Sequence, residues 1–243
     1  PIFQQETKQI DSVDALFRWD HPDRGIVSPG DVIPLAEESG FIIELGECVL
    51  QTVCNNLRLW HKAGYFIKAA VNLSVIQFLQ TDLLDMIKRI LHENELDPKW
   101  INIEITESAI IEQEAKVLAK VRAMREMGIQ ISLDDFGTGY SSFKKLIDLK
   151  PDVLKLDRSL IKGIIEDEDS MEITKAVIQL AHKLSISVIA EGVETKEQFE
   201  LLADFECDWI QGYLLSRPVP VENIEKLLLG QRATENEPQP INE

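Results

Sequence analysis

Residues 129–137 read Ile-Gln-Ile-Ser-Leu-Asp-Asp-Phe-Gly, a short apolar run that ends in two adjacent acids and then a glycine. The preceding segment Lys116–Met127 carries apolar side chains at the spacing of an amphipathic helix, and Gly128 separates the two segments. This order predicts a helix that leads into a buried strand, with polar residues where the strand ends. The same unit recurs along most of the chain, which is typical of a parallel sheet covered by helices.

Seven strand candidates alternate with amphipathic segments. The predicted strands are Val13–Trp19, Ile67–Leu73, Ile101–Ile105, Ile129–Leu133, Val153–Leu156, Ile186–Ala190 and Trp209–Tyr213. The predicted helices are Glu44–Trp60, Phe78–Leu91, Lys116–Met127, Met171–Leu184 and Thr195–Phe205. So many units without a Pro-, Gly- or Ser-rich linker favour an α/β fold of the closed TIM (β/α)8 type over an open doubly wound sheet. No Gly-x-Gly-x-x-Gly turn follows any of these strands, so the dinucleotide-binding alternative lacks its signature.

The pattern of strands and helices places the barrel in residues 1–230. Residues 231–243 are polar, acidic and contain proline, and we expect a disordered tail or linker there. The chain starts Pro1-Ile2-Phe3 without a methionine or a signal pattern, so we expect an N-terminally truncated piece of a longer chain. No apolar run reaches the roughly 18 to 20 residues of a membrane span. We expect a cytoplasmic protein, or the cytoplasmic domain of a membrane-anchored parent.

The composition excludes some partners. Among 243 residues, Lys and Arg number 25 and Asp and Glu number 42, which gives a net charge of −17. Such a chain is not expected to bind a nucleic-acid polymer or an anionic lipid through a basic face. The three cysteines lack zinc-binding spacing, and we expect them to be reduced, buried thiols.

Polar residues interrupt or directly follow six predicted strands, most of them near the carboxyl end. They are Asp14, Asn72, Glu104, the pair Asp134 and Asp135, Lys155 and Glu191. In a parallel barrel these strand ends converge at one mouth, so the side chains should meet there. Several carboxylates with one lysine need cations to stay ionised, and an oxygen-rich set suits Mg²⁺, Mn²⁺ or Ca²⁺. The adjacent acids could hold two ions, the arrangement that activates water in phosphodiester cleavage.

Each of these residues also has an ordinary structural explanation. A carboxylate at a strand end commonly caps the next helix or faces solvent. The segment 134–142, Asp-Asp-Phe-Gly-Thr-Gly-Tyr-Ser-Ser, could be a plain connecting loop or a mobile loop that reaches a phosphate. Lys155 lies in an apolar strand, where it either forms a buried ion pair, for instance with Asp157, or orients or deprotonates a water.

Taken together, these residues resemble the EAL family of cyclic di-GMP phosphodiesterases from Pro1 to about Pro220. The matching segments are 14–19, 28–37, 71–74, 104–107, 134–142, 155–157, 190–194 and 211–213. The resemblance implies a modified TIM barrel, a homodimer, and hydrolysis of cyclic di-GMP to linear pGpG with two Mg²⁺ or Mn²⁺ ions per site. It also implies sensor or cyclase-like domains upstream in the parent chain.

The resemblance assigns a role to each matching residue. Asp14, Asn72, Glu104 and Asp134 would hold the first ion, and Asp134, Asp135 and Glu191 the second. Lys155 would hold the attacking water, and the catalytic set would be Lys155, Glu191 and Glu194. Leu16, Arg18 and Gln211 would contact substrate or metal-bound water. Glu107 would brace the Asp134–Asp135 loop, which in this family links the active site to a dimer interface.

The signature itself departs from the family. The family is named for Glu-Ala-Leu, whereas this chain has Asp14-Ala15-Leu16. Aspartate keeps the carboxylate but is one methylene shorter, a loss of reach of about 1.5 Å. Either the backbone moves inward, a water bridges the gap, or the first ion binds weakly. We expect an enzyme with reduced activity. The alternatives are an inactive receptor for cyclic di-GMP and a purely structural dimerisation barrel.

Overall fold

A computed structural model describes residues 1–106, 114–138 and 143–235 of the chain. Its strands are β1 (Ile2–Gln4), β2 (Ile10–Ala15), β3 (Trp19–His21), β4 (Gly25–Val27), β5 (Lys68–Asn72), β6 (Ile101–Thr106), β7 (Gln130–Phe136), β8 (Val153–Leu156), β9 (Ser187–Glu191) and β10 (Trp209–Gln211). Eight of them close a barrel in the order β1-β10-β9-β8-β7-β6-β5-β2, and β3 and β4 form a separate hairpin. The predicted α/β barrel is therefore confirmed.

The barrel departs from a regular TIM barrel at its seam. The short strand β1 pairs antiparallel with both β10 and β2, with Phe3 opposite Ile210 and Ile10. The remaining neighbours pair in parallel. Sequence analysis predicted the modified barrel by resemblance but missed β1, because three residues are too few to show a strand period.

Side chains alternate along each strand between the covering helices and the barrel interior. In β6, Ile101, Ile103 and Ile105 belong to the core between sheet and helices, whereas Asn102 and Glu104 occupy the opposite parity. The other parallel strands follow the same two-residue period. A polar residue near the carboxyl end of each parallel strand therefore faces inward.

A small apolar cluster fills the interior below those polar ends. Ile2, Val153, Ile189 and Trp209 pack together, apart from the core outside the barrel. The last three each lie two residues before the polar position near the end of their strand, so they share its inward parity. The cluster thus forms a floor under the polar mouth.

Helices cover the outside of the barrel. They are α1 (Pro29–Ser39), α2 (Ile42–Lys62), α3 (Val75–Leu79), α4 (Leu83–Glu93), α5 (Glu114–Glu126), α6 (Phe143–Leu149), α7 (Arg158–Lys162), α8 (Glu168–Lys183), α9 (Lys196–Asp204) and α10 (Val221–Glu235), with a short 3₁₀ helix at Pro98–Trp100. A capping box opens α9: the Thr195 hydroxyl accepts from the Gln198 backbone N–H, and the Gln198 side chain accepts from the Thr195 N–H. No helix in the described residues is both long and apolar enough to cross a membrane.

Several predicted boundaries were wrong. The first predicted strand ends at Ala15, and Trp19 belongs instead to the hairpin strand β3. The predicted helix Phe78–Leu91 is two helices, because Gln80 takes an extended conformation and ends α3. The last helix, α10, continues through residues 231–235 of the predicted tail, while residues 236–243 lie outside the described residues.

We expect one of the three thiols to react rapidly in the folded protein. Contrary to the sequence-based expectation, Cys48 is exposed, whereas Cys54 and Cys207 are buried, and burial raises the pKa of each buried thiol to about 12. Because the thiolate is the reactive form, Ellman's reagent should modify only Cys48 in native buffer and all three thiols after unfolding. Cys48→Ser should remove the rapid phase, and its persistence would contradict the burial of the other two thiols.

Candidate active site

Seven barrel strands bring polar side chains to one mouth. They contribute Asp14 from β2, Asn72 from β5, Glu104 from β6, Asp134 from β7, Lys155 from β8, Glu191 from β9 and Gln211 from β10. The strand register aligns them: Asn72 pairs with Glu104, and Gln211 pairs with Glu191. The predicted convergence of the strand ends is therefore present in the fold.

Lys155 lies at the centre of this group and is 1% exposed. Its Nζ is 2.7 Å from Glu104 Oε1 and 2.8 Å from Glu191 Oε1. Two longer contacts join the same Nζ to Asp134 Oδ1 at 3.4 Å and to Asp14 Oδ2 at 3.6 Å. The suggested pair with Asp157 is wrong, because that carboxylate caps α7 by accepting from the Ser159 backbone N–H. One ammonium is thus shared by four carboxylates.

The cluster perturbs the pKa of its members in opposing ways. Burial alone would lower the pKa of Lys155, but the surrounding carboxylates outweigh burial and raise it well above its usual value. The pKa of Glu104 is raised well above its usual range, chiefly by burial and despite Lys155. Burial likewise raises the pKa of Glu191 to about 7. The like charges are held together at an electrostatic cost that one ammonium only partly offsets.

Two amides border the carboxylates. Asn72 is an exposed residue and donates from Nδ2 to Glu104 Oε2 at 2.8 Å. Gln211 donates from Nε2 to Asp14 Oδ2 over a longer distance of 3.5 Å. Among the described residues, the buried atoms Asp14 Oδ1 and Gln211 Oε1 accept no hydrogen bond. Asp14 Oδ2 also makes the longest of the four carboxylate contacts to Lys155, at 3.6 Å.

The paired acids at the end of β7 adopt an unusual backbone. Asp135 has φ of 57°, in the left-handed region, and its N–H donates to Asp134 Oδ1 at 2.9 Å. Asp135 is exposed, and its carboxylate makes none of the four ion pairs to Lys155. Its pKa is raised, first by partial loss of solvation and then by the charges of Asp134 and Asp157. Asp134 therefore contacts Lys155, whereas the next residue, Asp135, does not.

Several predicted site residues are outside the central cluster. Glu194 is exposed, and its backbone N–H donates to Gln198 Oε1. Leu16 is 42% exposed just after β2, and Arg18 is exposed and donates to the Phe17 carbonyl. These three side chains line the rim rather than the centre. Glu107 and residues 139–142 of the loop lie outside the described residues.

Sequence reasoning missed the residue that connects the ends of β9 and β10. A Cβ at Gly212 would overlap the backbone O and N of Val193. The Val193 N–H donates to the Gln211 carbonyl at 3.1 Å, and the Leu214 N–H donates to the Val193 carbonyl at 3.0 Å. Gly212 thus permits the close backbone approach that fixes Gln211 relative to the segment after Glu191. Its position directly after a polar strand end was the available signal.

The chemistry of the donors suits a hard divalent cation. Across residues 1–106, 114–138 and 143–235, no three His, Cys, Asp or Glu side chains are arranged to hold one ion, and Lys155 Nζ contacts the acids instead. The side chains themselves are carboxylates and amides, and the buried Asp14 Oδ1 has no hydrogen-bond partner in the described part of the chain. Oxygen donors of this kind fit Mg²⁺ or Mn²⁺ and not a cysteine-rich zinc site.

A closed, mainly parallel barrel with a charged site at its carboxyl mouth defines a TIM-type barrel. Within that class the chain belongs to the EAL domain family, whose model matches residues 1–218.

The chain is similar in sequence to part of several bacterial signalling proteins. The bifunctional diguanylate cyclase/cyclic di-GMP phosphodiesterase MucR of Pseudomonas aeruginosa is 40% identical over 213 residues, which are 87% of this chain and 31% of MucR. Cyclic di-GMP phosphodiesterase PdeR of Escherichia coli is 34% identical over 218 residues, or 90% of this chain and 33% of PdeR. The chain therefore spans about a third of the length of these two relatives.

The fold is also similar to solved structures. The PaMucR phosphodiesterase in complex with cyclic di-GMP superimposes with a TM-score of 0.87 at 39% identity, covering 92% of this chain and 91% of that one. The EAL enzyme Bd1971, with cAMP and cyclic di-GMP bound, gives a TM-score of 0.89 at 31% identity, covering 94% of this chain and 63% of that one.

Gly212→Ala should destabilise the folded chain. The added methyl group meets backbone atoms that have no side-chain freedom, so we expect a loss of about 1 to 3 kcal/mol in the free energy of unfolding. The matched control is Gly230→Ala, in an exposed part of α10 where a Cβ meets nothing within 4 Å. That change should stabilise by about 0.5 to 1 kcal/mol. Urea unfolding of both variants measures the difference, and equal values would contradict the close approach at Val193.

Proposed function

We propose that this chain is a divalent-metal-dependent phosphodiesterase domain that hydrolyses cyclic di-GMP to linear pGpG. The observation that carries the proposal is the group of four carboxylates around Lys155 at the barrel mouth. Membership of the EAL domain family and the named activities of MucR and PdeR support the choice of substrate.

Charge explains why metal ions belong in this mechanism. Four carboxylates and one ammonium have a formal sum of −3 when all are ionised, in a chain whose net charge is −17. A cyclic dinucleotide carries two phosphodiester charges of the same sign and would be repelled from such a mouth. Bound divalent cations would reverse the local sign and let a phosphodiester approach.

The metal ligands are assigned from the residues that match the EAL family at these positions. One ion would be held by Asp14, Asn72, Glu104 and Asp134, and a second by Asp134, Asp135 and Glu191. When bound, such ions supply Lewis-acid activation of water and stabilise charge on the phosphodiester oxygens.

Lys155 is assigned to hold the attacking water. An ammonium has three N–H donors, and the short contacts to Glu104 and Glu191 use two of them. The third can donate to a water oxygen and fix its position, which is the role of a positioned cation rather than of a base. Glu191, 21% exposed at its side chain, is the most accessible of the four acids toward the mouth. We assign it and the rim residue Glu194 to proton transfer.

The remaining roles concern binding. Arg18 at the rim offers a rigid donor fork to a phosphate, and Leu16 offers an apolar surface to a base. Gln211, whose Oε1 is buried and without a partner among the described residues, would orient substrate or water beside Asp14. Glu107 would couple the Asp134–Asp135 turn to a dimer partner.

The reaction balances without a further reactant. The oxygen of one water forms a bond to phosphorus, the bond from phosphorus to a 3′ oxygen breaks, and a proton that the water loses ends on that oxygen. The product keeps a 5′ phosphate. We place this domain in the cytoplasm as a homodimer, joined to sensor or cyclase-like domains in a longer parent chain.

Turnover should require both metal and Lys155. With Mg²⁺ or Mn²⁺, at a protein concentration sufficient for dimerisation, chromatography should show pGpG formed from cyclic di-GMP, and EDTA should abolish it. Lys155→Met should lower turnover by about 100-fold or more, because a reactant displaced by about 1 Å can lose that much rate. Lys196→Met, at a highly exposed position of α9, is the control and should leave turnover unchanged. Tight metal-independent binding of intact cyclic di-GMP without pGpG would instead identify a receptor.

Asp14→Glu should raise turnover. The added methylene extends the reach of the carboxylate by about 1.5 Å, and Asp14 Oδ2 makes the longest of the four contacts to Lys155, at 3.6 Å. We expect a higher kcat with a lower metal concentration at half-maximal rate. An unchanged rate would show that Asp14 already reaches its ion or that another step limits turnover.

Metal affinity tests the ligand assignment without an activity assay. Asp134 is the ligand shared by both ions, so Asp134→Asn should weaken Mn²⁺ binding in calorimetry by at least about tenfold, the lower limit of the loss seen for groups that only support a ligand. Asp85→Asn, on the exposed face of α4, is the control. Equal Mn²⁺ affinity of the two variants would show that Asp134 is not a metal ligand.

A further inference from the structure

A small cavity lies inside the barrel at the end opposite the proposed active site. Its volume is about 20 Å³, and Ser12, Asn102 and Trp209 line it. The other lining residues are the polar Asp11, Lys68 and Gln130 and the apolar Val153 and Ile189 of the floor. Asn102 and Trp209 each lie two residues before a residue of the polar mouth, so the cavity is below the floor and separate from the catalytic group.

Two residues that line this cavity each have a buried polar atom without a hydrogen-bond partner among the described residues. Asn102 is 8% exposed and donates from Nδ2 to Ser132 Oγ at 2.6 Å, but its Oδ1 accepts nothing. The indole Nε1 of Trp209 is buried and donates to nothing in the same part of the chain. Buried polar atoms are almost always satisfied by protein or by ordered water.

The chemistry of the two atoms selects the occupant. One is an acceptor and the other a donor, so the occupant must both donate and accept. A cation would face the indole N–H, and an anion would face the amide oxygen, so neither is satisfied by the pair. A cavity of about 20 Å³ exceeds the roughly 10 to 15 Å³ that one water needs. The Ser12 hydroxyl offers a third polar partner.

We infer that the barrel floor holds one ordered water that donates to Asn102 Oδ1 and accepts from Trp209 Nε1–H. This water is a structural component that joins β6 to β10 across the interior. It is distinct from the water that attacks phosphorus. The inference does not depend on the proposed function.

Two measurements on the unaltered protein test the site. A crystal structure that resolves ordered solvent should show a water within about 2.7 to 3.2 Å of both atoms. In NMR, the Trp209 indole proton, assigned by its loss in Trp209→Phe, should show a cross peak to a long-lived water. An interior without water density and without that cross peak would overturn the inference.

A double-mutant cycle tests the bridge itself. Trp209→Phe and Asn102→Leu should each lower the thermal midpoint by about 2 to 4 °C, and the double variant by less than the sum, because the second change removes a bond to a water already lost. Trp100→Phe, whose ring packs against His61 instead, is the control and should add to Asn102→Leu without coupling. Additive effects at Trp209 and Asn102 would show that no water links them.

Discussion

The central constraint on this molecule is that four carboxylates must stand within ion-pair distance of one buried ammonium. Lys155 supplies the positive charge. The strands that carry the acids hold them close together, although their mutual repulsion would otherwise separate them. A single hairpin or helix could not impose this geometry, because each acid comes from a different strand. The closed sheet fixes the distances, and the core of isoleucine, leucine and valine outside the sheet stabilises it. The burial of apolar side chains between the sheet and the helices thus offsets the electrostatic cost of the acids inside the barrel.

Much of the fold and the centre of the site could be predicted because both obey the same two-residue period. In β6, apolar residues at one parity mark the covered face, so Glu104 at the other parity had to point inward. Sequence analysis placed Lys155 and Glu191 in the mouth because each interrupts or follows an apolar strand near its carboxyl end. It could not find the partner of Lys155: Asp157 was near in sequence, but it caps α7, and the true partners came from other strands. Pairing across strands is a property of the closed sheet.

The other errors have equally local causes. Strand β1 has three residues, which is too short for a period, and Gln80 breaks a helix although its residue type does not forbid helix. Sequence analysis did not identify Asn102 and Trp209, because a polar or a large residue at the start of a strand does not by itself indicate a cavity. Their importance comes from facing one cavity, which exists only when the barrel is closed. Sequence patterns indicate on which face of a strand a residue lies. Its contacts on that face are set only when the barrel closes.

The antiparallel strand β1 also sets a time order for synthesis. Phe3 lies opposite Ile210, so the first and last barrel strands are neighbours although the intervening segment is nearly the whole domain. A ribosome that adds about 5 to 20 residues per second needs on the order of 10 to 40 s to make that segment. Throughout this interval β1 lacks one neighbour and the growing sheet has open edges. The nascent chain therefore keeps edges open to edge-to-edge association until Ile210 emerges, and the barrel around Lys155 can close only after that moment.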